Sequence, residues 1–147
     1  MSAPQSRTHR VLTSEEQERL SPDEVLALLR EGNARFVSGD ITHRDHRAQV
    51  RHAALGQWPK AVVLSCLDSR IPVEDVFDCG IGDLFVARVA GNIVNSDILG
   101  SMEFTTKLAG AKVGLVMGHS ACGAVAGAIA DAKLGNLTQL LAKIQPA

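Results

Sequence analysis

Apolar positions along the chain follow two different spacings. Ala61-Val62-Val63-Leu64-Ser65 is a short continuous apolar run, as in a strand buried on both faces of a sheet. Leu84-Phe85-Val86-Ala87-Arg88-Val89 is a second such run, entered through the turn Gly80-Ile81-Gly82-Asp83, and Val113-Gly114-Leu115-Val116-Met117 is a third. Between and after them the spacing becomes helical. Ile98 to Leu108 predicts a helix closed by Gly110, and Cys122 to Leu134 an alanine-rich helix closed by Gly135. Strands alternating with helices predict an α/β fold, a mostly parallel sheet flanked by helices.

The flanks are different in character. Residues 1–20 are polar without a clear period and predict a mobile arm. A helix then starts at Ser21-Pro22-Asp23-Glu24, where Ser21 caps, Pro22 suits the first helical position and Glu24 closes a capping box. Val25, Leu28, Leu29 and Phe36 give that helix an apolar stripe, and Gly39 ends it. Residues 42–52 hold Arg44, Arg47, Arg51, His43, His46 and His52. The histidine spacing matches no compact ligand motif, so a solvated basic helix or a subunit contact is expected. Leu137, Leu140, Leu141 and Ile144 predict an amphipathic terminal helix whose apolar face needs cover. The expected organisation is one domain over 1–147. It divides into the mobile arm, an N-terminal helical arm over 21–60, an α/β core over 61–134 and a terminal helix over 135–147.

Composition narrows the class. The apolar fraction of 46% allows a real core, and a net charge of -1 gives no overall attraction to nucleic acid or to an anionic membrane. No apolar stretch approaches the ~20 residues that span a bilayer, and the first residues lack the apolar core of a signal peptide. A cytoplasmic location is the resulting expectation. Three cysteines, an odd number, argue against a disulfide framework.

The candidate chemistry lies where apolar runs end. Cys66-Leu67-Asp68-Ser69-Arg70 follows the first, and His119-Ser120-Ala121-Cys122 follows the third. In open parallel sheets ligands bind beyond the carboxyl ends of the strands, so these loops can converge. Two thiols and an imidazole are a soft ligand set suited to zinc, and three protein ligands leave one position open, as in catalytic sites. Zinc lowers the pKa of a bound water to about 7. Asp68 either closes the site as a fourth ligand or accepts a hydrogen bond from metal-bound hydroxide. Arg70, with its fork of donors, decides which by pairing with Asp68. Either motif alone would read as a buried cysteine beside a capped turn; together they point to a metal site. Cys79 is left over, as a buried free thiol.

These residues are recognisable as a set. Gly56-Gln57-Trp58-Pro59-Lys60, Cys66-Leu67-Asp68-Ser69-Arg70, Gly82-Asp83-Leu84-Phe85-Val86-Ala87-Arg88, Ala90-Gly91-Asn92 and Gly118-His119-Ser120-Ala121-Cys122-Gly123 closely resemble the β-class carbonic anhydrases. The resemblance runs from Gly32 to Gly127. It implies a zinc lyase interconverting carbon dioxide and bicarbonate. Cys66, His119 and Cys122 match the family's zinc ligands, and Asp68 with Arg70 its catalytic dyad. Gln57, Phe85, Ala90 and Gly91 match its substrate-binding positions. The resemblance also implies a homodimer or higher homo-oligomer in which Gln57 and Phe85 serve the neighbour's zinc. Phe104 stands where many members carry tyrosine. Family chains usually continue well past the second ligand motif, so a shortened C-terminus is expected here. Two other readings compete: a hydrolase of carbonyl sulfide or carbon disulfide, and an inactive or truncated zinc-binding module.

Overall fold

The computed structural model describes residues 10–146. Its centre is a three-stranded parallel sheet in the order β2-β1-β3, with β1 Ala61–Ser65, β2 Leu84–Arg88 and β3 Val113–Met117. β1 is buried along its whole length, which is why its sequence is unbroken apolar rather than alternating. Val63 stands in register with Val86 and Leu115, and Ser65 with Arg88 and Met117. The three strands therefore end together, and the loops that leave them share one end of the sheet.

α1 spans Ser14–Arg19, α2 Pro22–Ser38 and α3 His46–Ala53. The capping box predicted at Ser21 and Glu24 forms, and Gly39 closes α2 in the left-handed conformation. α2 lays Val25 and Leu29 on one sheet face, against Ala61 and Cys79. Leu28 and Phe36 of the expected stripe stay substantially exposed. Gly32 lets α2 approach the end of α4, Val73–Val76: a Cβ there would lie 1.9 Å from the Phe77 carbonyl oxygen. Asn33 fastens the contact by donating to the Val76 carbonyl at 3.0 Å.

Three expectations need correction. Residues 14–19 of the arm form a capped helix, because Gln17 is buried and donates to the carbonyls of Pro59 (2.7 Å) and Ala109 (2.9 Å). Met1 to His9 lie outside the described residues. Arg44 is not part of a solvated basic surface: it reaches the buried carboxylate of Asp78 at 2.6 Å. Gly135 does not close the helix after Cys122. α6 is Gly123–Ile129, the chain turns at Asp131 with φ 50°, and Gly135 begins α7, Gly135–Leu141.

The helix expected over 98–108 is α5, Ser96–Glu103, followed by a π-helical turn Phe104–Leu108. Gly110 then takes φ 77°. Among the described residues no helix is long and apolar enough to cross a membrane.

Candidate metal centre

Cys66 immediately follows β1, and His119 and Cys122 sit in the loop between β3 and α6. One ligand atom from each lies within 4.8 Å of the others. The sulfurs of Cys66 and Cys122 are 3.9 Å apart. Two sulfurs bound at 2.3 Å to a tetrahedral zinc would stand about 3.8 Å apart. Both cysteines are buried, and none of the three cysteines is in a disulfide.

The histidine is set for coordination by its neighbour. His119 Nδ1 lies 2.9 Å from the carbonyl oxygen of Ser120. A carbonyl only accepts, so Nδ1 carries the proton and Nε2 is the bare nitrogen. That Nε2 is buried and has no hydrogen-bond partner. A buried acceptor without a partner is costly, and beside two sulfurs it fits a metal ion. The donor set therefore suits zinc.

The Cys66 sulfur is tuned for the thiolate form. Burial works to raise its pKa, but hydrogen bonds to the sulfur, the Gly91 N–H first among them, outweigh it and bring it from 9.0 to about 7. The Gly91 N–H donates to the sulfur at 3.3 Å. Cys79 behaves oppositely: burial pushes its thiol up to about 11, so it stays protonated and inert.

Asp68 and Arg70 stand beside this group. Arg70 Nε donates to Asp68 Oδ1 at 2.9 Å and Arg70 Nη2 to Oδ2 at 2.7 Å. The Arg70 backbone N–H adds a bond to Oδ1 at 3.0 Å. Those side-chain bonds, first of all, hold the Asp68 carboxyl well below the usual carboxylate range. Asp68 Oδ2 lies 3.9 Å from His119 Nε2, so it faces the ligand atoms while Arg70 grips it. Arg70 Nη2 also donates to the Ala121 carbonyl at 3.1 Å, which ties the two ligand loops together. Ala121 has φ 55°, a left-handed conformation that disfavours a side chain, so this loop is held under strain.

The structure brings Gly91 to the ligand group but not Phe85. Phe85 meets Phe104 edge-on, ring centroids 6.4 Å apart, in a cavity of about 620 Å³ whose lining includes none of the three ligand residues. Gln57 is exposed, and Ala90 is half-buried in the turn that carries Gly91. Sequence reasoning missed Arg88. Its Nε donates to the Cys66 carbonyl at 2.9 Å and its Nη2 to the Asp68 carbonyl, bracing the first ligand loop. An arginine closing a strand at the ligand-bearing end of the sheet was the available signal.

Comparison with known proteins agrees with this geometry. A family model described as carbonic anhydrase matches residues 61–147, more than half of the chain. The chain is 44% identical over 113 residues to carbonic anhydrase 2 of Mycobacterium tuberculosis, covering 74% of this chain and 53% of that protein. A tetrameric β-carbonic anhydrase of Sordaria macrospora superposes with a TM-score of 0.61 at 34% identity, covering 66% of this chain and 51% of that one. A more distant relative, at 29% identity over 61% of this chain and 44% of its own length, is a carbon disulfide hydrolase of Saccharolobus solfataricus. The chain thus spans about half the length of the mycobacterial relatives and of others that it matches. Motif, ligand geometry and similarity converge, and the chain belongs to the β-carbonic anhydrase family.

Proposed function

We propose that this chain carries the zinc site of an enzyme that interconverts carbon dioxide and bicarbonate. Cys66, His119 and Cys122 hold the ion. The observation that carries the reading is the bare, buried Nε2 of His119, facing two sulfurs and a clamped carboxylate. Zinc held there supplies hydroxide near neutral pH by lowering the pKa of water to about 7.

The protein's own groups do the rest. Arg70 occupies both oxygens of Asp68, which keeps the carboxylate from turning onto the metal as a fourth ligand. Asp68 Oδ2 retains accepting capacity on the side facing His119, where it would accept a hydrogen bond from a water or hydroxide held beside the three ligand atoms. Carbon dioxide is small and carries no net charge, so apolar walls suffice to receive it. Ala90 and Gly91 are the proposed wall, supported by the Gly91 N–H lying 3.3 Å from the Cys66 sulfur.

Phe85 and Gln57 act in trans, at the site of a second subunit. Two facts support this: Phe85 lines a cavity without ligand residues, and Gln57 is exposed. The Sordaria relative is tetrameric, and a homo-oligomer is the proposed state here. Thiolate ligands also call for a reducing compartment, for which the cytosol is the proposed setting.

Stopped-flow carbon dioxide hydration tests the reading, with zinc content and assembly mass measured on the same sample. Zinc-dependent hydration well above the buffer rate is expected. Full zinc occupancy with no acceleration would reduce the chain to a metal-binding module. Turnover of carbon disulfide without hydration of carbon dioxide would assign the site to the other substrate.

A further inference from the structure

We propose that Ile144, just beyond α7, is a positioning residue of the metal centre; the role rests on the zinc reading above. The link runs through Gly91. Its N–H donates to the Cys66 sulfur, and it takes φ 67°, ψ 21° in the turn closed by the Asn92 N–H on the Val89 carbonyl. Glycine has the widest backbone freedom of any residue. Its own torsions therefore do not hold that N–H on target, and the surrounding packing must.

Two side chains supply the packing. A Cβ placed at Gly91 would lie 2.5 Å from Ile144 Cδ1 and 3.3 Å from the Ala124 Cβ. The space beside Gly91 is thus filled from the far end of the chain and from α6. Both supports are anchored. α6 starts directly after the ligand Cys122. Leu141, at the end of α7, is buried and reaches Gly127 of α6, where a Cβ would lie 3.4 Å from its Cδ1. The Ile144 N–H then closes a turn on the Leu141 carbonyl at 2.9 Å. Leu141 seats the tail on α6, and the turn delivers the Ile144 methyl to Gly91. The helix behind one thiolate and the tail seated on it hold the donor to the other thiolate.

The test compares zinc affinity by chelator competition in the full chain and in Ile144→Ala, Ile144→Val and Ile144→Leu. Ile144→Ala should weaken zinc about tenfold, as loss of an outer partner to a ligand does. Ile144→Val removes only the Cδ1 methyl and should weaken it about threefold. Ile144→Leu, which keeps a methyl at that reach, should restore most of the affinity. In the cobalt-substituted protein the thiolate charge-transfer band should move in Ile144→Ala, because the Gly91 N–H is no longer held on the Cys66 sulfur. A change confined to folding would not produce that shift. If the parent chain takes up no zinc, the zinc reading fails and this inference with it. If the parent binds zinc, and Ile144→Val matches it in affinity and cobalt spectrum, the positioning role alone is overturned.

Discussion

Two aspartates of this chain sit among arginines, and both are held as carboxylates well below the usual range. Their surroundings differ. Asp78 is sealed, with its side chain 1% exposed. Its Oδ1 accepts from the Thr42 N–H and Arg44, and its Oδ2 from Arg35 and the Thr42 hydroxyl. No accepting capacity is left over, so this carboxylate pins the N-terminal arm to the core. Asp68 is gripped by Arg70 alone, and one of its oxygens still faces the ligand atoms. A depressed pKa marks both, so it does not distinguish a structural carboxylate from a functional one. Spare hydrogen-bonding capacity aimed at other reactive groups does.

Breaking each aspartate should separate fold from chemistry. Asp78→Ala leaves Arg44 mostly buried without its partner and should cost about 3 kcal/mol in urea unfolding. The pH dependence has a definite sign. Burial opposes ionisation of Asp78, but the Arg35, Thr42 and Arg44 bonds prevail and lower its folded pKa. Its contribution is therefore complete above the unfolded value of about 3.9 and is lost as pH falls below it. Urea midpoints of the parent should drop between pH 6 and pH 3, and those of Asp78→Asn should drop less. An equal drop in both would show that Asp78 is not the linked group.

Asp68→Asn should do the reverse. Zinc content and melting temperature stay near those of the parent, since the exposed Arg70 is rehydrated by solvent, while carbon dioxide hydration falls about 100-fold. Loss of zinc in this variant would instead make Asp68 a ligand. The smallest effect is expected at the thiol outside the site. Cys79→Ser should keep full zinc content and lose about 1 kcal/mol for a buried hydroxyl. A zinc deficit there would mean that the ligand set is drawn wrongly.

The same contrast separates what was legible in the sequence from what was not. The chemistry of the candidate centre was readable because each ligand follows an unbroken apolar run, and the strand ends fix where those loops go. The bounds of β1 and β3, and the Ser21–Glu24 cap, were readable because each is set by its own few residues. Partnerships across the chain were not. Arg44 looked like one basic residue among several, and only the packing of α2 against α4 brings Asp78 to it. Gln17 lay in a stretch without a period, since a single buried amide makes no pattern. Gly135 looked like a helix stop, but Asp131 adopts the left-handed turn and frees the glycine to begin α7. The resemblance makes Gly91 a pocket residue, and nothing in its own sequence neighbourhood shows its N–H on the Cys66 sulfur.

X-ray absorption at the zinc edge of the metal-loaded chain tests the central claim most directly. Two sulfurs at about 2.3 Å and two lighter atoms at about 2.0 Å are predicted, with one sulfur fewer in Cys66→Ser. A shell with no sulfur, or one that Cys66→Ser leaves unchanged, would contradict the account.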